Sequence, residues 1–180
     1  MLPERLLAGP VVLRYFVAGD APTVELLAGD RDVAEKTALI PHPYPAGAAQ
    51  AWIATHEAER AAGREYSYAI TETGGPLLGA ISLRPRPGER ENVGYWIGRR
   101  YWGRGYATAA AQALIALGFE LLDLEAVTAS HLARNPASGR VMEKCGMRLL
   151  RTERRDHRGA PEDIHVRGIA RDEWERTIAR

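Results

Sequence analysis

The sequence predicts an α+β (mixed α/β) fold: one domain around a central, twisted, mostly antiparallel sheet of about seven strands flanked by helices. Three observations carry that expectation. Short runs rich in β-branched and aromatic residues lie between turn residues, as strands do. Apolar residues recur at helical spacing in other segments. The two kinds of segment interleave along 180 residues, a length that suits one domain with a real core.

Val11 to Val17 alternates β-branched and aromatic residues and reads as the first strand. Asp20-Ala21-Pro22 opens a short helix through Leu27, and another helical piece runs from about Asp32 to Ala38. Pro41, Pro43 and Pro45 end it, because prolines break a helix interior. Ala48 to Ala61 places Trp52, Ile53 and His56 at helical spacing, and Gly63 stops it. Ser67 to Thr71 and Leu77 to Leu83 are strands joined by Glu72-Thr73-Gly74-Gly75, a hairpin signal. A polar turn precedes the strand Asn92 to Ile97, and a helix follows over 105–121. Ala126 to Leu132 is a strand, and a helix opening at Pro136 comes next. Arg148 to Asp156 and Asp163 to Ile169 form a hairpin about a turn at Arg158-Gly159-Ala160-Pro161, and Asp172-Glu173-Trp174 begins a last short helix. The order reduces to β-α-α-β-β-β-α-β-α-β-β.

The most informative stretch is Tyr95 to Thr108, where an aromatic strand runs into Arg-x-x-Gly-x-Gly (Arg100, Gly103, Gly105) and an Ala-rich helix starts at once. Two glycines one residue apart let the backbone turn tightly and approach a ligand. The first N–H groups of the helix lack internal partners and sit at the positive end of its dipole, which makes an anion site. A Walker-type loop is excluded, since Arg104-Gly105 stands where Lys-Ser/Thr is needed. A dinucleotide fingerprint is disfavoured, since no strand ending in an acid follows at the required distance.

What fits is the pyrophosphate loop of coenzyme A acetyltransferases, and the chain resembles the GNAT superfamily of acetyl-CoA-dependent N-acetyltransferases. Asn135-Pro136-Ala137-Ser138 followed by Glu143-Lys144-Cys145-Gly146-Met147 is similar to a second hallmark of that superfamily. The local physics agrees: Asn135 caps, Pro136 suits the first turn and Gly146 the left-handed exit. Gly-Tyr-Trp-Ile, Asn-Pro-Ala-Ser and Asp-Glu-Trp together look most like the RimJ/RimL-type branch, whose members acetylate ribosomal N-terminal α-amines.

The resemblance implies a co-substrate, acetyl-CoA, and a site. Trp96, Ile97 and Gly98 would pair with its pantetheine chain, the amides of Gly103, Arg104, Gly105, Tyr106, Ala107 and Thr108 would hold the pyrophosphate, and Arg100 and Arg104 would add charge. Asn135 and Ser138 correspond to positions that contact coenzyme A and the departing sulfur, with Ser138 a candidate general acid. Many relatives use a tyrosine at the position of Met142, which cannot donate a proton. Relatives often carry a carboxylate base where Asn92 stands; the adjacent Glu91, His131 and Asp163 are the base candidates, and Asn92 is expected to orient a water or the amine. A site without a strong carboxylate base favours an α-amine, with pKa near 8, over a lysine-like amine near 10.4. The acceptor is expected to be a small-molecule amine or a protein N-terminus, and a homodimer is a family-level expectation. Tyr44, Trp52, Tyr66 and Tyr68 are either pocket lining or core.

Composition narrows the rivals. Formal net charge is +1, so no global field draws the chain to nucleic acid or membrane. The first residues hold no long apolar run, and the helix after Ala107 is broken by Gln112, Gly118 and Glu120, so neither a signal peptide nor a membrane span is expected. Cys145 is the single cysteine, which excludes an internal disulfide and suggests a cytoplasmic setting. The five histidines show no metal-ligand spacing, and no serine sits in Gly-x-Ser-x-Gly, so no metal site and no hydrolase elbow is expected. A non-catalytic acetyl-CoA-binding regulatory module is the alternative to an enzyme.

Overall fold

Among the described residues eight strands run in the order β1-β2-β3-β4-β5-β6-β8-β7. They are β1 (Arg5–Ala8), β2 (Val11–Tyr15), β3 (Tyr66–Thr71), β4 (Leu77–Leu83), β5 (Val93–Ile97), β6 (Ala126–Leu132), β7 (Arg148–His157) and β8 (Ala160–Ala170). The helices are α1 (Ala21–Ala28), α2 (Arg31–Ala34), α3 (Ala48–Ala61), α4 (Tyr106–Leu122), α5 (Pro136–Lys144) and α6 (Arg171–Ile178). The computed structural model describes residues 2–85 and 92–179. Glu91, one of the expected base candidates, lies outside the described residues.

Two sheet faces are filled differently. Tyr68 and Ile70 of β3, Leu78 of β4 and Ile97 of β5 pack with Ala110, Leu114 and Ile115 of α4. On the other face Ala69, Leu77 and Trp96 pack with Val24 and Leu27 of α1 and Ala49 of α3. The alternation of side chains along a strand produces this division: Trp96 and Ile97 are neighbours in sequence and face opposite layers.

All the strand pairs are antiparallel except β5 with β6, which meet at one register pair, Val93 with Ala129. A parallel neighbour needs a crossover, and α4 supplies it. Beyond Val93 the two strands diverge, so the sheet opens like a V along the rest of β5. Asn92 holds the apex. Its Nδ2 donates to Arg84 O at 2.9 Å, while its Oδ1 accepts from Thr128 N at 3.0 Å and Thr128 Oγ1 at 3.1 Å.

Three local expectations change. The first strand is preceded by β1, which pairs with β2 through a turn at Gly9 (φ +57°). Four residues are too few for a period to show, and pairing makes the strand. The Asp32 to Ala38 helix shrinks to α2. The β7–β8 turn is only Arg158 and Gly159, both left-handed (φ +58° and +81°), which is the geometry of a two-residue hairpin loop.

Candidate active site

The opening of the V is a cleft of about 300 Å³. It unites the two motifs that lie about thirty residues apart: Trp96 and Ile97 of β5, the turn from Gly103 to Thr108, and Asn135 and Ser138 of α5 all line it. Antiparallel pairing explains why β5 can offer its edge. Gly98 N donates to Leu78 O and Asn92 O accepts from Arg84 N, so the even-numbered residues turn their main chain toward β4. The N–H and C=O groups of Tyr95 and Ile97 therefore point to the β6 side, into the V. Trp102 Nε1 occupies Ile97 O at 2.7 Å.

The turn is built for an anion. Gly103 and Gly105 adopt φ of +77° and +80°, and a Cβ on either would meet nothing within 4 Å, so backbone conformation rather than crowding calls for glycine. Gly105 is the N-cap of α4 and no side chain caps it. The amides of Tyr106, Ala107 and Thr108 consequently lack helical partners at the positive end of a 17-residue helix. Tyr106 Oη donates to Glu72 Oε1 at 2.6 Å and ties the turn to the β3–β4 hairpin. These amides, with Arg104 beside them in the cleft, suit a diphosphate.

Two expected contacts stand apart from the cleft. Gly98 is buried, and a Cβ there would come within 2.9 Å of Leu27 Cδ2, so its smallness serves packing against α1. Arg100 is exposed with its guanidinium 4.7 Å from the Tyr101 ring centre.

At the far wall Asn135 caps α5 by accepting from Ser138 N at 3.4 Å. Ser138 Oγ lies 2.8 Å from Tyr95 Oη, which also donates to Ser138 O at 3.1 Å. Tyr95 is not among the site residues that the sequence indicated. The two-residue period was the available signal, since it sets Tyr95 on the α4–α5 side with Ile97 and opposite Trp96. Burial pushes the Tyr95 phenol well above its usual range. Met142 is buried in the core, and burial pushes the Cys145 thiol up to about 12, which fits a core cysteine rather than a nucleophile.

The base candidates do not gather at the cleft. The Asn92 amide is committed to Arg84 and Thr128 at the apex, and that bonding corrects the expectation that it could orient an acceptor. His131 is buried, its Nδ1 2.9 Å from Leu132 O, and burial lowers its pKa. Asp163 is exposed on β8. Tyr66 and Tyr68 are core, Tyr68 Oη donating to Pro3 O, and Trp52 packs edge-on against Phe16 and His56. Among the described residues no group of three or more His, Cys, Asp or Glu could hold a metal ion, and no helix is long and apolar enough to cross a membrane.

The remaining wall is the α2 stretch, contributing Val33, Lys36 and Thr37. Lys36 Nζ sits 4.2 Å from the Trp102 ring centre. Arginines from elsewhere hold this stretch by its main chain. Arg158 Nη2 donates to Ala34 O at 2.7 Å and to Ile40 O at 2.5 Å, and Arg134 Nη2 donates to Glu35 O at 3.2 Å. No sequence pattern announced these contacts.

Residues 11–148 match the acetyltransferase (GNAT) domain family. The chain belongs to that family. It is 33% identical over 106 residues to YdaF of Bacillus subtilis (strain 168), named as a candidate ribosomal N-acetyltransferase, covering 56% of this chain and 57% of YdaF. The chain spans about half the length of the curated relatives it matches, 49% in the case of YkkB from the same organism. Among solved structures, a GNAT acetyltransferase from Bacillus anthracis superposes with a TM-score of 0.81 at 23% identity, covering 93% of this chain and 99% of that one. The ribosomal L7/L12 α-N-protein acetyltransferase RimL, solved with coenzyme A, superposes with a TM-score of 0.82 at 16% identity over 93% and 98% of the two chains. These likenesses extend the GNAT fold over 93% of the chain.

Proposed function

We propose that this GNAT protein transfers an acetyl group from acetyl-CoA to a primary amine by direct attack, as an acyltransferase of the RimJ/RimL-like branch working in the cytoplasm. The observation that carries the reading is the convergence of both motifs and the unpaired β5 edge on one cleft. The amides from Gly103 to Thr108 hold the diphosphate, and the Tyr95 main chain together with the Ile97 N–H pairs with an extended pantetheine arm as another strand would, Ile97 O being taken by Trp102. Ser138 faces the place where the sulfur departs. The names of YdaF and RimL support a protein N-terminus as the acceptor.

The cleft also bears on the acceptor. Lys36, Arg104, Arg140 and Lys144 line it, and no carboxylate does among the described residues. Cations repel a polyamine, and without a carboxylate among the described lining residues the amine loses its proton unaided. An α-amine near pKa 8 is partly neutral at pH 7, whereas an amine near 10.4 is almost wholly charged. The acceptor is therefore an α-amine, on a peptide or a small molecule. Release of free coenzyme A measured with a peptide α-amine and with a polyamine across pH tests this. The peptide is expected to react faster at pH 7; a faster polyamine overturns the acceptor assignment, and no release with any amine overturns the transfer itself.

A further inference from the structure

With tyrosine missing at position 142, the side chain opposite the departing sulfur needs another source of order. Tyr95 reaches the same turn of α5 from the opposite side of the V. Its hydroxyl is 2.8 Å from Ser138 Oγ and 3.1 Å from Ser138 O, so one phenol touches both polar oxygens of that residue. Both side chains line the cleft. Tyr95 stands on the strand whose edge is offered to the co-substrate, and Ser138 stands on the helix that carries the second motif. No other side-chain contact joins β5 to α5 by hydrogen bonding among the described residues.

We propose that Tyr95 is a positioning residue that aims the Ser138 hydroxyl at the leaving sulfur, a role that rests on the acetyl-transfer reading. Either hydroxyl of the 2.8 Å pair can be the donor; in the arrangement proposed, the phenol gives its single proton to Ser138 Oγ rather than to Ser138 O, which leaves the serine O–H to point into the cleft. The amine nitrogen attacks the thioester carbon, the N–C bond forms, and the C–S bond breaks with its electron pair on sulfur. The surplus proton on nitrogen passes to water, and the thiolate later takes a proton from water. Ser138 contributes a hydrogen bond to the sulfur as charge develops there, and neither hydroxyl is deprotonated. An alkoxide is a far stronger base than a thiolate, and the buried phenol holds its proton more tightly than a free one. The stabilisation is electrostatic and depends on prior orientation.

Y95F keeps the ring in its packed place and removes only the hydroxyl. The test is a cycle of wild type, Y95F, S138A and the double variant, with steady-state turnover, acetyl-CoA binding by calorimetry and thermal midpoint measured for each. Y95F is expected to lower kcat 10- to 100-fold while the acetyl-CoA Kd changes less than threefold. S138A is expected to fall by a similar factor, and the double variant to be no slower than S138A alone. A multiplicative double variant, or a Y95F enzyme as fast as wild type, overturns the proposal while leaving acetyl transfer intact. A loss in Y95F that tracks a fall in thermal midpoint or in acetyl-CoA affinity also overturns it. A wild type that binds acetyl-CoA and acetylates no amine overturns both readings together.

Discussion

At the scale of single residues, the glycines of the site divide by the reason each is small. Gly98 has an ordinary φ of −56° and is small because Leu27 is close. Gly105 has room for a side chain and is glycine because φ is +80°. Gly105→Ala should therefore cost about 1 kcal/mol of stability, the usual penalty for a left-handed alanine. Relief of that strain would rotate the amides that open α4, so the KM for acetyl-CoA is expected to rise at least tenfold with the acceptor KM little changed. Unaltered KM for acetyl-CoA would remove the turn from the binding site. Asn92 illustrates the opposite case, a residue type suited to catalysis that serves as a tie. Asn92→Ala strips the partner from Thr128 N and should destabilise the fold by about 2 kcal/mol in urea titration, the range for an orphaned buried polar group. An alanine variant of full stability would contradict that assignment. The family signature was legible at this scale because glycine, proline and capping residues carry backbone information within four or five positions. The partners of Asn92 and Tyr95 were not, since they come from strands and helices distant in sequence.

Elements with their own period or caps were legible, and elements made by their neighbours were not. α3 and α4 declare themselves by apolar spacing, α5 by Asn135 and Pro136, and the β3–β4 hairpin by its turn. β1 is four residues long and exists because β2 offers it an edge. α2 is a single turn, too short to be stable alone, and its ordering depends on groups outside it. The Arg158 guanidinium provides two of those contacts by bonding Ala34 O and Ile40 O. This makes the β7–β8 turn a support for the cleft wall although none of its residues lines the cleft. Arg158→Ala should loosen the segment from Val33 to Ile40 and increase its amide hydrogen exchange at least tenfold. Because that segment bears Lys36 and Thr37, the acceptor KM is expected to rise severalfold while acetyl-CoA binding, held by α4 and β5, stays within twofold. Equal loss for both substrates would show that the clamp supports the whole cleft rather than one wall.

For the whole molecule, the sheet is two antiparallel arms joined at one parallel contact, and each arm must be stable enough to hold the V open. The face of the first arm opposite α4 contains a feature that opposes stability in acid. His56 of α3 is buried against Phe16 and Trp52, and neither ring nitrogen has a hydrogen-bond partner among the described residues. Burial lowers its pKa to about 4, with Glu65 opposing that shift and Arg60 reinforcing it. The unfolded chain, with a histidine near 6.5, therefore binds the extra proton first as pH falls. Above pH 6.5 both states carry a neutral ring and nothing is lost. Between pH 6.5 and about 4 the unfolded state alone is protonated, and stability declines toward a total loss of about 3 kcal/mol, beyond which this group contributes no further slope. His56→Phe preserves the aromatic cluster and removes two unpartnered nitrogens, so it should be at least as stable as the parent at pH 7. Its unfolding free energy from urea titration should fall by about 1.5–2.5 kcal/mol less than the parent's between pH 7 and pH 4.5. Parallel pH dependence in the two proteins would mean that His56 keeps an ordinary pKa in the folded state and that the acid sensitivity of the first arm lies elsewhere.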